Sequence, residues 1–462
     1  MIPEEAKSWI SVAESRAIRQ ETTSLTISKN EGDSRSATIL FADKNNTTLA
    51  SILINQAERI ISIDIPSDMK IAFPDIYFRN YVLRNFDNNK DGVISEDEAL
   101  KVEEINLERL GVNSLKGIQF FPNLKHLDCS SNALSALDIS ECTALTYLDC
   151  SSNALRALDV SGCTALTYLD CCCNDNMRRL DASGCTALTT LRCNENELNT
   201  LDVSKCTALT YLNCWYNNLT TLDVSECTAL TYLNCTKNSL TQLGVFNNTA
   251  LTVLHCHSNK IKSLDVSGCT SLKELDCYDN HLTILDIPKN TTLTELNCSE
   301  NELTSLDLSN NTALTYLSCD KNSLTALIVS GCTALTGLSC YNNQLTALDV
   351  SGCTALTELN CYSIQLLTSL DVTGCTALKE LNCYNNQLTA LDVSGCTNLT
   401  SLNCYDNRLT ILDVSMNKVL GYLKCNMSSL LVLYVSKNAE IKGITDYRST
   451  KYINSITEIS YI

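Results

Sequence analysis

At 462 residues the chain has room for three ordinary domains or one continuous array. Its formal charge of −18, from 34 Lys and Arg against 52 Asp and Glu, disfavours nucleic acid and anionic lipid as partners. No apolar run reaches the ~18 residues of a membrane-spanning helix, and 15 glycines with 5 prolines are too few for a loop-rich scaffold held by disulfides.

Residues 1–57 begin with MIPEEAKSWISV, which has neither the basic nor the apolar region of a secretory leader. Further on, SATILFADKNNTTLASILINQA alternates apolar and polar residues on both sides of a polar NNTT turn, the pattern of a β-hairpin. The run from Arg35 to Gln56 resembles the last strands of BACON domains, a resemblance that implies a secreted protein with glycan or mucin contact. A full domain of that kind needs more sequence upstream. Residues 1–57 are therefore expected to be a truncated BACON-like β-sandwich fragment, with the leader further back.

Residues 58–101 are expected to form a linker and a helical cap. DNNKDGVISEDE fits the EF-hand calcium loop, with Asp87, Asn89 and Asp91 at its first, third and fifth places and Gly92 at the sixth. Val93 would offer its carbonyl, Ser95 its hydroxyl and Glu98 its carboxylate, the many hard oxygens that calcium needs around one tight turn. Phe78, Val82 and Phe86 lie four apart on the entering helix, with Pro74 near its start, and Ser95 with Glu98 makes a capping box for the exiting one. The alternative is an acidic turn with a capped helix and no ion. On the first reading one structural calcium is the only cofactor.

From Val102 to Asn123 a degenerate first repeat leads into fifteen units, residues 124–440, of the form L-x-x-L-x-C-x-x-N-x-L-x-x-L-D-V-S-x-C-x-x. Thirteen have 21 residues; two have 22, with the extra residue around Asn176 and Leu367. Each x-L-x-C predicts one short strand. Stacked in parallel, the units form a leucine-rich-repeat solenoid whose sheet lines the concave face and whose core no single unit can close alone. Asn at position 9 suits the turn leaving the strand. Residues 441–462 are expected to cap the far end.

The 27 cysteines sort onto this frame: fifteen at position 6, ten at position 19, and the pair Cys172 and Cys173. Asn248, Asn290, Asn311, Asn417 and Asn438 replace Cys at position 19, so a cysteine there is expected to be a small buried filler. Stacked strands set position-6 sulfurs about 4.8 Å apart, against ~2.05 Å in a disulfide, so free thiols are expected. A ladder offers no tetrahedral zinc arrangement.

These units resemble the cysteine-bearing repeats of the internalin family, and LKGIQFFPNLKHLDCSSN, Leu115 to Asn132, resembles the way internalin repeats begin after their cap. The resemblance implies a bacterial cell-surface or secreted binding protein that presents its concave face to a host or neighbouring-cell molecule. It implies too that the EF-hand-like segment seals the open end of the solenoid, with no sensor-like opening. Cys rather than Asn at most position-19 sites departs from the family, as does the lack of a wall-sorting motif in ITEISYI.

Strand positions 3, 5, 7 and 8 are expected to point outward from the concave side. Position 7 carries Trp215 and Tyr278, then Tyr341, Tyr362, Tyr384 and Tyr405 in four successive units; Tyr216 stands at position 8. These are the candidate ligand-binding residues, expected to offer ring faces flanked by amides; descent by repeat duplication is the alternative. The position-15 aspartates are expected to bond neighbouring backbone amides. His255 and His257 flank Cys256 with Asp276 next door, an arrangement more in keeping with exposed residues than a metal site. No nucleophile–base pair or phosphate loop stands outside the repeats, so no enzyme is expected. The function read from the sequence is protein binding by a monomeric adhesin, with glycan or mucin binding, or a structural spacer, as alternatives.

Overall fold

The computed structural model describes residues 65–436 in full and, beyond them, the backbone of the strands Ile10–Val12, Leu25–Ile27, Arg35–Ala42, Thr48–Gln56 and Glu458–Tyr461. The chain divides into two compact units, Met1–Ile65 and Pro66–Ile462. In the first, Arg35–Ala42 pairs antiparallel with Thr48–Gln56, so the expected hairpin forms, with a register shift at Phe41/Ala42. The rest of residues 1–57 lies outside the described residues, apart from a short antiparallel pair, Ile10–Val12 with Leu25–Ile27.

The second unit opens with three helices, α1 (Met69–Ala72), α2 (Ile76–Phe86) and α3 (Glu96–Ala99). Asp75 caps α2, its carboxylate accepting from the Tyr77 and Phe78 amides, and the predicted Ser95–Glu98 capping box closes α3. Phe73, Phe78 and Phe121 are fully buried, and the Phe73 ring packs edge-on against Phe78 at 5.4 Å. The Tyr81 hydroxyl accepts the Asn106 amide at 3.0 Å, tying α2 to the first strand of the solenoid.

Sixteen short parallel strands follow in one sheet, from Glu104–Asn106 to Tyr422–Lys424, which is the degenerate unit plus the fifteen regular ones. Register never slips: Ile105 faces Leu127, and leucine faces leucine from there to Leu402↔Leu423. On the opposite side, positions 13–15 form separate short parallel pairs, such as Ala157–Asp159 with Arg179–Asp181. At the far end Ile411–Val414, Val432–Val435 and Glu458–Tyr461 make a three-stranded parallel sheet. The remainder of the expected cap at 441–462 lies outside the described residues.

Three side-chain ladders join the repeats. Asn153 at position 9 donates to the Cys129 carbonyl of the preceding repeat at 3.0 Å and to its own Cys150 carbonyl at 3.1 Å. Its Oδ1 accepts the Leu134 amide of the preceding repeat at 2.9 Å. Thr167 at position 2 donates to the Thr146 carbonyl at 2.9 Å, a link that repeats along the sheet edge. Position 19 supplies the third. The Cys269 thiol donates to the Val245 carbonyl at 3.2 Å, and Asn290 in the next repeat donates to the equivalent Val266 carbonyl at 2.9 Å.

Position 19 is therefore a donor site, which corrects the expectation of a mere filler. Cys and Asn exchange there because both bring a hydrogen to the same buried carbonyl. Asn also brings an acceptor: the Oδ1 atoms of Asn248, Asn290, Asn311 and Asn417 are buried with no partner among the described residues. A thiol leaves no such orphan. Asn438 lies outside the described residues. All 27 thiols are free, and only Cys172 and Cys173 are not buried.

Where Ser or Thr stands two residues on, the aspartates of position 15 bond neighbouring backbone amides as expected, within their own turn; Asp286, with Pro288 there, has no such amide. Asp159 accepts the Ser161 amide at 3.0 Å and its hydroxyl at 2.7 Å, which explains the D-V-S run. The same amide bonds lower the pKa of Asp223, Asp265 and Asp307 and favour their ionised form.

Replacing Asn290 tests the donor role. Asn290→Ala leaves the Val266 and Cys269 carbonyls without their side-chain donor and should cost about 1–3 kcal/mol, whereas Asn290→Cys should lie closer to the parent in denaturant midpoint. Equal midpoints for the alanine variant and the parent would contradict this.

Candidate functional site

The sixteen-stranded sheet carries the candidate ligand-binding side chains. Its strands repeat at the ~4.8 Å spacing of a β-sheet, so side chains at one repeat position stand in columns. In the position-7 column, Tyr341 and Tyr362 stack with centroids 4.4 Å apart and planes 8° from parallel. Tyr362 and Tyr384 follow at 4.5 Å, and Tyr384 and Tyr405 at 4.8 Å. The Lys424 ammonium lies 3.9 Å from the Tyr405 centroid and closes that end. At the other end Asp320 holds position 7, buried, accepting from the Ser318 and Ser339 hydroxyls and the Tyr341 amide.

This geometry corrects the expectation of open ring faces. Of the eight faces in the four-ring stack, six meet one another and a seventh meets Lys424. What remains for a partner is ring edges and hydroxyls. Burial raises the Tyr362 and Tyr384 pKa, that of Tyr362 to about 12, so both hydroxyls stay protonated and can donate. Ser363 and Asn385 flank the column, joined at 3.0 Å.

The other proposed ligand-binding residues do not join this stack. Tyr278, three repeats beyond Trp215, stacks on His257 at 4.3 Å. Trp215 meets Tyr216 edge-on at 5.9 Å. Tyr216 stands in the turn leaving the strand, with φ at 55°. Position 8 adopts this left-handed conformation in every repeat from Ser131 to Asp406, so it belongs to the turn and not to the sheet face. Position 3, whose tyrosines the sequence places outward without marking them as ligand-binding, makes a second aromatic column: His126, Tyr147 and Tyr168 stack at 4.1 and 4.5 Å, and Tyr211 stacks on Tyr232 at 4.4 Å. Its signal was the recurring Tyr two residues before the D/N-C pair.

His255 and His257 turn to separate partners. His255 Nε2 lies 2.7 Å from Glu274, while His257 packs on Tyr278 and bonds Ser258, so they do not converge on an ion. Burial lowers the His257 pKa to about 4 and keeps the ring neutral at pH 7.

In the cap loop Gly92 takes φ 85° where the chain turns most sharply. Asp87 accepts the Asp91 and Gly92 amides, Asn89 the Asp91 amide, and Asp91 the Val93 amide. Glu98 reaches back across the loop: Oε1 accepts the Asn88 amide at 2.7 Å and the Asn89 amide at 3.3 Å, and Oε2 accepts the Ser95 amide at 2.9 Å and hydroxyl at 2.8 Å. These bonds, led by the Ser95 amide, hold its pKa near 2. The donor set is hard oxygen throughout, as calcium requires, although among the described residues no three acidic, His or Cys side chains converge as a metal cluster.

The model for leucine-rich repeats in two copies matches residues 122–162, 249–290 and 376–414, and a putative N-terminal binding domain, BACON, matches residues 2–57. No curated protein matches the chain. Among solved structures, the functional domain of InlJ from Listeria monocytogenes, which includes a cysteine ladder, is 36% identical over 80% of this chain and 76% of its own, with a TM-score of 0.63. A leucine-rich-repeat protein of Leptospira interrogans is 23% identical over 79% of this chain and 97% of its own, with a TM-score of 0.56; it shares the fold. The period, the cysteine ladder and the likeness to InlJ together make this chain a member of the internalin-type leucine-rich-repeat family.

Proposed function

We propose that the chain is a surface or secreted adhesion protein that binds a host or neighbouring-cell protein through its concave face. The observation that carries this reading is the closed tyrosine stack from Tyr341 to Tyr405. A sugar ring packs its C–H face onto a free aromatic face, and this column has all but one of its faces occupied. A protein surface can instead meet ring edges and protonated hydroxyls, which suit amphipathic contact. The family resemblance supports the same role, and the BACON match at residues 2–57 supports a secreted setting and keeps glycan or mucin contact as the alternative. No helix among the described residues is long and apolar enough to cross a membrane.

Two variants test the column. Tyr362→Phe with Tyr384→Phe keeps the stack and removes two hydroxyls. Tyr362→Ser with Tyr384→Ser breaks all three stacked pairs, each worth about 0.5–1.5 kcal/mol of stability. The serine variant should remain folded, melt somewhat lower, and bind cells at least about tenfold more weakly, since truncating an interface aromatic costs ~2 kcal/mol or more. Trypsin-shaved cells should lose binding to the parent, and deglycosylated cells should keep it. Unchanged binding by the serine variant would make the column a relic of duplication, and dependence on glycans alone would favour the alternative.

The cap loop is read as a structural calcium site at Asp87, Asn89, Asp91, the Val93 carbonyl, Ser95 and Glu98, on the strength of its donor chemistry. A bound ion adds roughly 2.7 kcal/mol at a hundredfold excess over its dissociation constant. Melting should rise with calcium relative to chelator, and Glu98→Gln should abolish the difference. Identical curves for the parent in both buffers would mean that Glu98 closes the loop unaided.

A further inference from the structure

The repeat pattern assigns no role to Cys172 and Cys173. They occupy positions 7 and 8 of the third regular repeat, where the two repeats before it have Ser130 with Ser131 and Ser151 with Ser152. Both thiols are half-buried, while the other cysteines are closed off in the core. Their sulfurs lie 3.4 Å apart. Asp170, with 6% of its surface exposed, accepts the Cys172 amide at 3.1 Å, and Glu195 Oε1 lies 3.7 Å from the Cys173 sulfur. The two sulfurs thus meet at the edge of the concave face with one carboxylate beside each, while no three of these side chains converge on one point.

The peptide between the cysteines is pinned. The Cys172 carbonyl accepts the Ser152 amide at 2.9 Å, and the Cys173 amide donates to the Asn194 carbonyl at 3.0 Å. Closing the pair to a disulfide would bring sulfurs now 3.4 Å apart to ~2.05 Å against those bonds. A single bridging atom needs no such closure: two metal–sulfur bonds of ~2.3 Å at an angle of roughly 95° span the observed separation. The nearby carboxylates of Asp170 and Glu195 attract a cation.

We infer that Cys172 and Cys173 form a two-sulfur site for a thiophilic metal cation, whose two thiolates carry the balancing charge while the nearby Asp170 and Glu195 carboxylates add electrostatic attraction. Soft thiolate ligands select such ions over calcium or magnesium. Binding replaces two S–H bonds by two metal–sulfur bonds and releases two protons to solvent, with no change in oxidation state.

Cadmium is the probe. The full chain, kept reduced with a phosphine, is titrated with cadmium while the sulfur-to-cadmium charge-transfer absorption is followed. About one equivalent should bind the native parent, and mass spectrometry should show Cys172 and Cys173 protected from alkylation. Cys172→Ser with Cys173→Ser recreates the serine pair of the preceding repeats, so it should fold as the parent does and lose the absorption. Glu195→Gln should keep the stoichiometry and weaken binding several-fold. Absence of binding by the parent, equal binding by the double variant, or protection mapping to other cysteines would each overturn the assignment. The parent's protection map stands even if the double variant fails to fold.

Discussion

A single repeat cannot satisfy its own backbone, and the structure depends on how the next repeat completes it. The turn leaving each strand presents carbonyls and amides that no helix or hairpin pairs, and a buried unpaired group of this kind is costly. The position-9 asparagine meets the need from both sides, with Asn217 donating to Cys193 and Cys214 while accepting from Leu198. One amide thus joins two repeats. The thiol or amide at position 19 does the same for the opposite wall, and threonine at position 2 for the sheet edge.

The same translation builds the candidate site. Stacking repeats at sheet spacing places identical side chains about as far apart as two aromatic rings in contact. Tyrosines at one position therefore stack by construction, as the 4.4–4.8 Å separations from Tyr341 to Tyr405 show. The consequence for recognition is unobvious: repetition closes ring faces instead of offering them, and leaves an edge-and-hydroxyl strip. Where the column is interrupted, as at Asp320 or Thr236, the strip ends.

The period, the strands, the capping box and the free thiols were all legible in the sequence, because each follows from spacing and residue size. The hidden features depend on what a neighbour offers. Nothing in Cys269 taken alone shows that its thiol faces the Val245 carbonyl. Position 8 resembles an outward strand residue until its left-handed backbone is seen, since Ser, Glu, Lys and Tyr all occupy it without the glycine that would mark the turn. The irregular repeat at Ile364 was visible only as an extra residue. There an apolar side chain fills the asparagine site, and its own amide, in place of the usual leucine amide at position 11, donates to Asn386 of the next repeat.

Counting thiols tests the central claim, that the ladders are reduced cysteines held in the core by neighbouring repeats. Protein prepared without reductant is exposed to a chromogenic disulfide reagent, first native and then in denaturant. The account predicts rapid reaction at no more than Cys172 and Cys173 in the native state and nearly all 27 thiols once the chain unfolds. A denatured count near zero would show that the columns are bridged, and fast native reaction at many positions would show that the repeats do not close over them.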